Sequence, residues 1–73
     1  MDNIYSKPIR ISLTAARVNA QMNRREMAQL LGVSTSTVVN WENGKTEPTV
    51  SQLRKISEIS GIPMDCIFVS EQS

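Results

Sequence analysis

The chain has 73 residues, of which 40% are hydrophobic and 21% charged, and its formal net charge is +1. This length allows one small domain, and the apolar fraction is sufficient for a core. Histidine is absent and cysteine occurs once, at Cys66, which argues against a disulfide framework, a structural zinc site and His-based catalysis. The sequence contains no long apolar run and no nucleophile–base set, and we expect no secretory signal. We therefore expect a cytoplasmic protein that is not an enzyme and has no cofactor, metal or membrane association.

The charge is distributed unevenly along the chain. From Lys7 to Lys45, six basic residues are opposed by two acidic ones, whereas from Thr46 onwards two basic residues are opposed by four acidic ones. This asymmetry is consistent with one surface for a polyanion, and equally with an ordinary solvated surface.

The first predicted elements are an N-terminal arm and a short helix. Pro8 disfavours a helix through the first residues, so we expect residues 1–11 to form an extended arm or a short strand. The first helix begins near Ser12. Its apolar residues make a modest helical stripe: Leu13, Ala16, Val18 and Ala20.

A capping box opens the second predicted helix. Asn23 is the N-cap, and Glu26, three residues later, can reach back to the Asn23 backbone. Gly32 ends the helix, where a residue that tolerates a positive φ is needed. Four small or apolar residues are expected to pack inward: Met27, Ala28, Leu30 and Leu31.

The third predicted helix follows a very short turn. Ser34 is a suitable N-cap, and Gly44 lies just beyond the expected end of the helix near Asn43. The segment is rich in β-branched residues, which favour a strand, but the caps on both sides favour a helix. Val38 and Trp41 are expected to face inward. This leaves four residues on the outer face: Thr35, Ser36, Val39 and Asn40.

Two more helices complete the prediction. Thr49 and Gln52 form a second capping box, and Gly61 closes the fourth helix. Pro63 suits the first turn of a short fifth helix, and residues 70–73 form a flexible tail. The fourth helix carries Val50, Leu53, Ile56 and Ile59, and the fifth carries Met64, Ile67 and Phe68. The predicted fold class is all-α: a compact bundle of about five short helices over residues 12–69.

The run from Glu26 to Lys45 resembles the helix-turn-helix of the phage Cro/repressor (XRE-type) family. Its short residues, its glycines and its tryptophan fall in register with that pattern. The resemblance covers about residues 12–68 and implies a lambda-repressor-like DNA-binding domain. In such a domain the third helix enters the major groove of double-stranded DNA. Further matches lie downstream: Glu47-Pro48-Thr49, Leu53, Ile56, Gly61, Ile62, Asp65 and Ile67.

The resemblance also implies roles for individual residues. Arg17 and Glu42 match a structural ion pair, and glutamine is usual where Arg24 stands. Arg25 is added to the phosphate-contacting set as a neighbouring cation, and the alternative for both Arg24 and Arg25 is a plain solvated face. The base-reading positions are Thr35, Ser36, Val39 and Asn40. The phosphate-contacting positions are Asn23, Arg24, Arg25, Asn43 and Lys45.

The outer face of the third helix has no arginine to read guanine. Asn40 could bond the N6 and N7 atoms of adenine, and Thr35 and Val39 could pack against thymine methyl groups. We therefore expect a preference for A·T pairs in each half-site.

The function implied by the resemblance is a transcriptional regulator, more specifically a repressor. One recognition helix reads too few base pairs for genomic specificity, so a homodimer on an inverted repeat is expected. The alternative is an antitoxin or adaptor module that works through a protein partner. The dimer interface is predicted at the C-terminal end, unless the N-terminal arm supplies it or these residues simply complete the core: Ile62, Met64, Ile67, Phe68 and Val69.

Overall fold

The computed structural model describes residues 10–69, which form two short strands, four α-helices and one 3₁₀ turn. The order is β1 (Ile11–Ser12), α1 (Leu13–Asn19), α2 (Arg24–Leu31), α3 (Thr35–Glu42), α4 (Val50–Ser60), the 3₁₀ turn (Met64–Cys66) and β2 (Ile67–Phe68). This mostly helical architecture confirms the predicted class, a small helical domain with a helix-turn-helix. The predicted arm, apart from residues 10 and 11, and the predicted tail lie outside the described residues.

Local capping signals fix the helix ends where the sequence predicted them. The Glu26 backbone N–H donates to Asn23 Oδ1 at 2.8 Å, and the Asn23 N–H donates to Glu26 Oε1 at 2.9 Å. A second capping box of the same kind opens α4. Gly32 ends α2 with a φ of 71°, a left-handed conformation that a side chain would disfavour. The caps therefore satisfy backbone groups that a helix end would otherwise leave unpaired.

The core lies between the helices and is closed by the C-terminal segment. Trp41 is 2% exposed and Val38 is fully buried, as predicted for the inner face of α3. Ala28 of α2 is also buried, as its predicted inward position requires. The buried apolar residues are Leu13, Ala16, Met27, Ala28, Val38, Trp41, Ile56, Ile62 and Ile67.

The predicted fifth helix is wrong. Only Met64–Cys66 is helical, as a single 3₁₀ turn, and the chain then becomes the strand β2. This strand pairs in parallel with β1, so that Ile11 lies opposite Ile67 and Ser12 lies opposite Phe68. The β-branched and aromatic residues of β2 favour an extended backbone, and β1 offers the hydrogen-bonding partner that a short segment needs.

Three residues placed on predicted apolar stripes are instead exposed: Val18 at 58%, Leu30 at 53% and Val50 at 64%. The inward stripe of α2 is centred between Met27 and Ala28. Since successive residues turn by roughly 100° around a helix, Leu30 points about 110° away from that stripe, nearly a third of a turn. Leu31, also predicted to face inward, is half-buried against the core.

The C-terminal residues predicted for a dimer interface divide into two groups. Ile62 is 8% exposed and Ile67 is 7% exposed, so both belong to the core of the chain itself. For these two residues the burial favours the alternative that they simply complete the core, because a side chain already covered by its own fold has little surface left for a partner. Met64, Phe68 and Val69 are half-buried. None of the helices within residues 10–69 has the length and apolar character that crossing a membrane requires.

Candidate nucleic-acid interface

The N-terminal end of α3 presents two unused hydroxyl groups. Ser34 Oγ accepts from the Thr37 N–H at 3.2 Å and lies 2.9 Å from Thr37 Oγ1, so these two side chains are engaged with each other. Thr35 and Ser36, in contrast, are exposed, and their hydroxyls form no hydrogen bond to any part of the chain that the structure describes. They are therefore free to donate to or accept from an external molecule.

The four predicted base-reading residues share the outer side of α3. Thr35 and Ser36 are exposed, whereas Val39 and Asn40, one turn further along, are half-buried. This gradient makes the first turn of α3 the most accessible part of the helix. A molecule that binds this side of α3 could contact the whole side chains of Thr35 and Ser36, but only part of those of Val39 and Asn40.

The segment after α3 turns back sharply against the helix end. The N–H groups of Lys45 and Thr46 both donate to the Asn40 carbonyl, at 2.9 and 3.4 Å. Gly44 supports this turn with a φ of 78°. Asn43 and Lys45 are exposed on it, so two of the predicted phosphate-contacting side chains lie beside the C-terminal end of α3.

The other predicted phosphate-contacting residues lie at the start of α2. Asn23, Arg24 and Arg25 are all exposed. The Oδ1 atom of Asn23 is occupied by the capping box, which leaves its amide nitrogen as the group able to donate to an external acceptor. The start of α2 and the turn after α3 together carry three cations: Arg24, Arg25 and Lys45.

An ion-pair network joins α1, α2 and α3. Arg17 Nε lies 2.7 Å from Glu42 Oε2, which is the pair expected from the sequence. Arg17 Nη1 also donates to the Met22 carbonyl at 2.8 Å. Arg24 Nε approaches the same carboxylate, 2.8 Å from Glu42 Oε1. The Glu42 side chain is 2% exposed, against 11% for Arg17 and 48% for Arg24.

The environment of Glu42 keeps its carboxylate ionised. Burial by itself raises the pKa of Glu42, but the hydrogen bonds from Arg17 and Arg24, the charge of Arg17 and a hydrogen bond from Thr14 outweigh it. The net result is a pKa of Glu42 below its ordinary value. The network therefore has one buried negative charge that serves two arginines.

The second arginine of this network was missed from the sequence, which predicted for Arg24 a phosphate contact or a plain solvated face. Arg24 and Glu42 lie 18 positions apart, and only the crossing of α2 over α3 brings them together. The sequence did contain one signal for this contact. Arginine stands at position 24 where glutamine is usual, and a cation close to the Glu42 carboxylate can form an ion pair with it.

Within residues 10–69 the structure has no pocket and no cluster of metal-binding side chains.

Comparison with known proteins assigns the chain to a family. The sequence profile of the Helix-turn-helix family matches residues 13–65. The chain is 33% identical over 58 residues to an uncharacterized HTH-type transcriptional regulator of Haemophilus influenzae, which covers 80% of the chain but only 23% of that relative. It is 32% identical over 50 residues to an uncharacterized HTH-type transcriptional regulator of Methanocaldococcus jannaschii, covering 68% of the chain and 76% of the relative. No solved structure gives a significant match. This chain belongs to the XRE-type helix-turn-helix family.

Proposed function

We propose that this chain is a DNA-binding transcriptional regulator that inserts α3 into the major groove of double-stranded DNA. The observation that carries the proposal is the exposed first turn of α3, whose Thr35 and Ser36 hydroxyls are unused within residues 10–69. Small polar side chains at this end of a helix allow its backbone to approach the base edges. The two relatives described above, both named as transcriptional regulators, add support.

Phosphate contacts are proposed at the two cationic segments that lie beside the C-terminal end of α3. Arg24 and Arg25 at the start of α2, and Lys45 after α3, would neutralise phosphates, with Asn23 and Asn43 donating from their amides. Each neutralised phosphate releases counterions, so affinity should fall steeply as salt rises. The net charge of the chain is only +1, but its basic residues are concentrated in the first half, where the proposed phosphate contacts lie.

Base reading is proposed for Thr35, Ser36, Val39 and Asn40, with a preference for A·T pairs. Asn40 is the residue able to bond adenine in a bidentate manner, and Val39 offers its methyl groups to thymine. Both are half-buried, so their reach is limited and the expected half-site is short.

The finer assignment is a repressor that acts as a homodimer on an inverted repeat. A single recognition helix reads few base pairs, and two-fold symmetry would place the half-sites about 34 Å apart. Ile62 and Ile67 belong to the core, so the proposed dimer interface leaves these two residues out. It rests on the half-buried residues Met64, Phe68 and Val69.

The test is selection of bound sequences from random duplex DNA, followed by two matched substitutions. Enrichment of an inverted repeat supports a dimeric reader, and enrichment of a single half-site supports a monomer that needs a partner. On the selected duplex, Asn40→Ala should relax base preference at one position, whereas Asn43→Ala should weaken binding to all sequences alike. A uniform loss from both substitutions would contradict the assigned roles. A folded protein that enriches nothing would favour the alternative, an antitoxin or adaptor module that works through a protein partner.

A further inference from the structure

We propose that Glu42 positions Arg24 for a DNA phosphate, by holding one edge of the Arg24 guanidinium group so that the opposite edge faces the DNA backbone. The inference rests on the proposed DNA-binding function and adds to it a residue that touches no DNA itself. In this role Glu42 is a positioning residue, and Arg24 makes the contact.

The geometry of the Arg24 side chain supports this role. Its Nε donates to Glu42 Oε1 at 2.8 Å, and its two terminal nitrogens form no hydrogen bond to any group within residues 10–69. A guanidinium carries five N–H groups in a fixed plane, and one terminal N–H shares the edge of the Nε–H that faces Glu42, so the other three remain available to an external acceptor. The Arg24 side chain is 48% exposed. One edge is therefore held by the protein while the other is open to an external acceptor.

The carboxylate that holds Arg24 is itself fixed. Glu42 is 2% exposed, and Arg17 binds it through Nε at 2.7 Å and through Nη2 at 3.4 Å. Arg17 is held in turn by the Met22 carbonyl. Arg24 is thus the outermost member of a network that begins in the core, and a long flexible side chain loses less conformational freedom on binding when it is already held.

The charge balance of the network also leaves Arg24 attractive to a phosphate. Two guanidinium groups share one carboxylate, so the three side chains together carry one net positive charge. Because Arg17 is largely buried and already paired with Glu42, the surplus charge lies on the exposed Arg24. A phosphate group matches the outer edge of the Arg24 guanidinium in both charge and geometry.

If Arg24 had a purely structural role, its ion pair with Glu42 would only stabilise the packing of the start of α2 against the end of α3. Lysine distinguishes the two roles, since it keeps the positive charge and can pair with Glu42. However, its ammonium group is a single point of charge, with no second edge to offer when the first is occupied. The matched control is Arg54→Lys on α4, where the arginine is exposed and lies outside both proposed DNA-contacting segments.

The experiment measures binding of the full chain to a labelled random-sequence duplex of about 20 base pairs, two turns of the helix. Fluorescence anisotropy is recorded across roughly 50 to 200 mM salt. We expect Arg24→Lys to raise Kd by about five- to tenfold, which corresponds to the net contribution of about one ordinary hydrogen bond. Arg54→Lys should leave Kd within about twofold of the original, in line with a solvated surface residue. Equal affinities for Arg24→Lys and the unsubstituted chain would overturn the proposal.

A second readout needs no DNA. In the free protein, the Nε–H resonance of Arg24 should exchange with water more slowly than that of Arg54, because Glu42 accepts its hydrogen bond. Similar exchange rates for both arginines would show that Arg24 is not held and would overturn the positioning role. If the unsubstituted chain binds no duplex even at the lowest salt, the proposed function itself fails. If it binds and Arg24→Lys binds as well, only the role of Glu42 fails.

Discussion

Replacing Glu42 with glutamine removes the one buried negative charge of the network while keeping its shape. Loss of one partner of a buried ion pair costs about 3–5 kcal/mol. Glutamine still offers an acceptor oxygen, and Arg17 keeps its 2.8 Å hydrogen bond to the Met22 carbonyl, so we expect about 2–3 kcal/mol. A domain of 73 residues has a total stability of about 4–11 kcal/mol. The variant should therefore fold at room temperature with a clearly reduced margin.

The assay is thermal and urea unfolding of Glu42→Gln beside the unsubstituted chain at neutral pH and at acidic pH. For a domain of this size, the expected loss lowers Tm by about 10–20 °C. Because folding lowers the pKa of Glu42, the stabilisation by its carboxylate is complete above the ordinary glutamate pKa of about 4.3. It is lost as the pH falls below that value through the lowered pKa. The difference between the two proteins should shrink accordingly below about pH 4.

The control is Glu58→Gln, which removes the same charge from an exposed position on α4. It should change the free energy of unfolding by no more than about 0.5 kcal/mol. If Glu42→Gln were equally mild, the ion-pair network would contribute little to stability. If the variant were destabilised by the same amount at pH 3 as at pH 7, the effect would come from packing and not from the carboxylate charge.

Three further substitutions test the fold. Met27→Ala removes a fully buried side chain from the core and should cost about 2–5 kcal/mol, seen as a lower urea midpoint; a loss under 1 kcal/mol would mean that the site collapses around the cavity. Gly32→Ala places a Cβ where no atom of a more distant residue lies within 4 Å, so only the positive φ of 71° opposes it. We expect about 1–2 kcal/mol by calorimetry, and no loss would mean that the turn adopts another conformation. Thr49→Ala removes the N-cap hydroxyl of α4 and should cost about 1 kcal/mol, whereas Thr49→Asn should retain most of the stability in the same denaturation assay.

The helix ends were predictable from the sequence because their signals are local. The capping box of Asn23 and Glu26, and the left-handed conformation of Gly32, depend on residues within one turn of each other. The inward positions of Val38 and Trp41 followed from helical spacing for the same reason. These features needed no knowledge of how the helices pack.

The features that the sequence did not predict depend on distant partners. Ile67 and Phe68 fit the spacing of a short helix, and their preference for an extended backbone becomes decisive only when β1 supplies a hydrogen-bonding partner. Likewise, Arg24 meets Glu42 only after α2 has crossed α3. Leu30 shows the same limit on a smaller scale, because helical spacing alone does not determine which side of α2 packs against the core.

The parallel pairing of β1 and β2 also has a consequence for the order of folding. The two strands join Ile11 to Ile67 across all four helices, so their pairing closes a long loop, whereas α2 and α3 meet after a short turn. We expect the α2–α3 contact to form before the rate-limiting step and the strands to pair after it. In stopped-flow measurements, Ile67→Val should then speed unfolding and leave refolding nearly unchanged, while Val38→Ala should slow refolding. The unfolding rate, and with it the lifetime of the folded state, would thus depend on the pairing of β1 with β2, away from the helix proposed to read DNA.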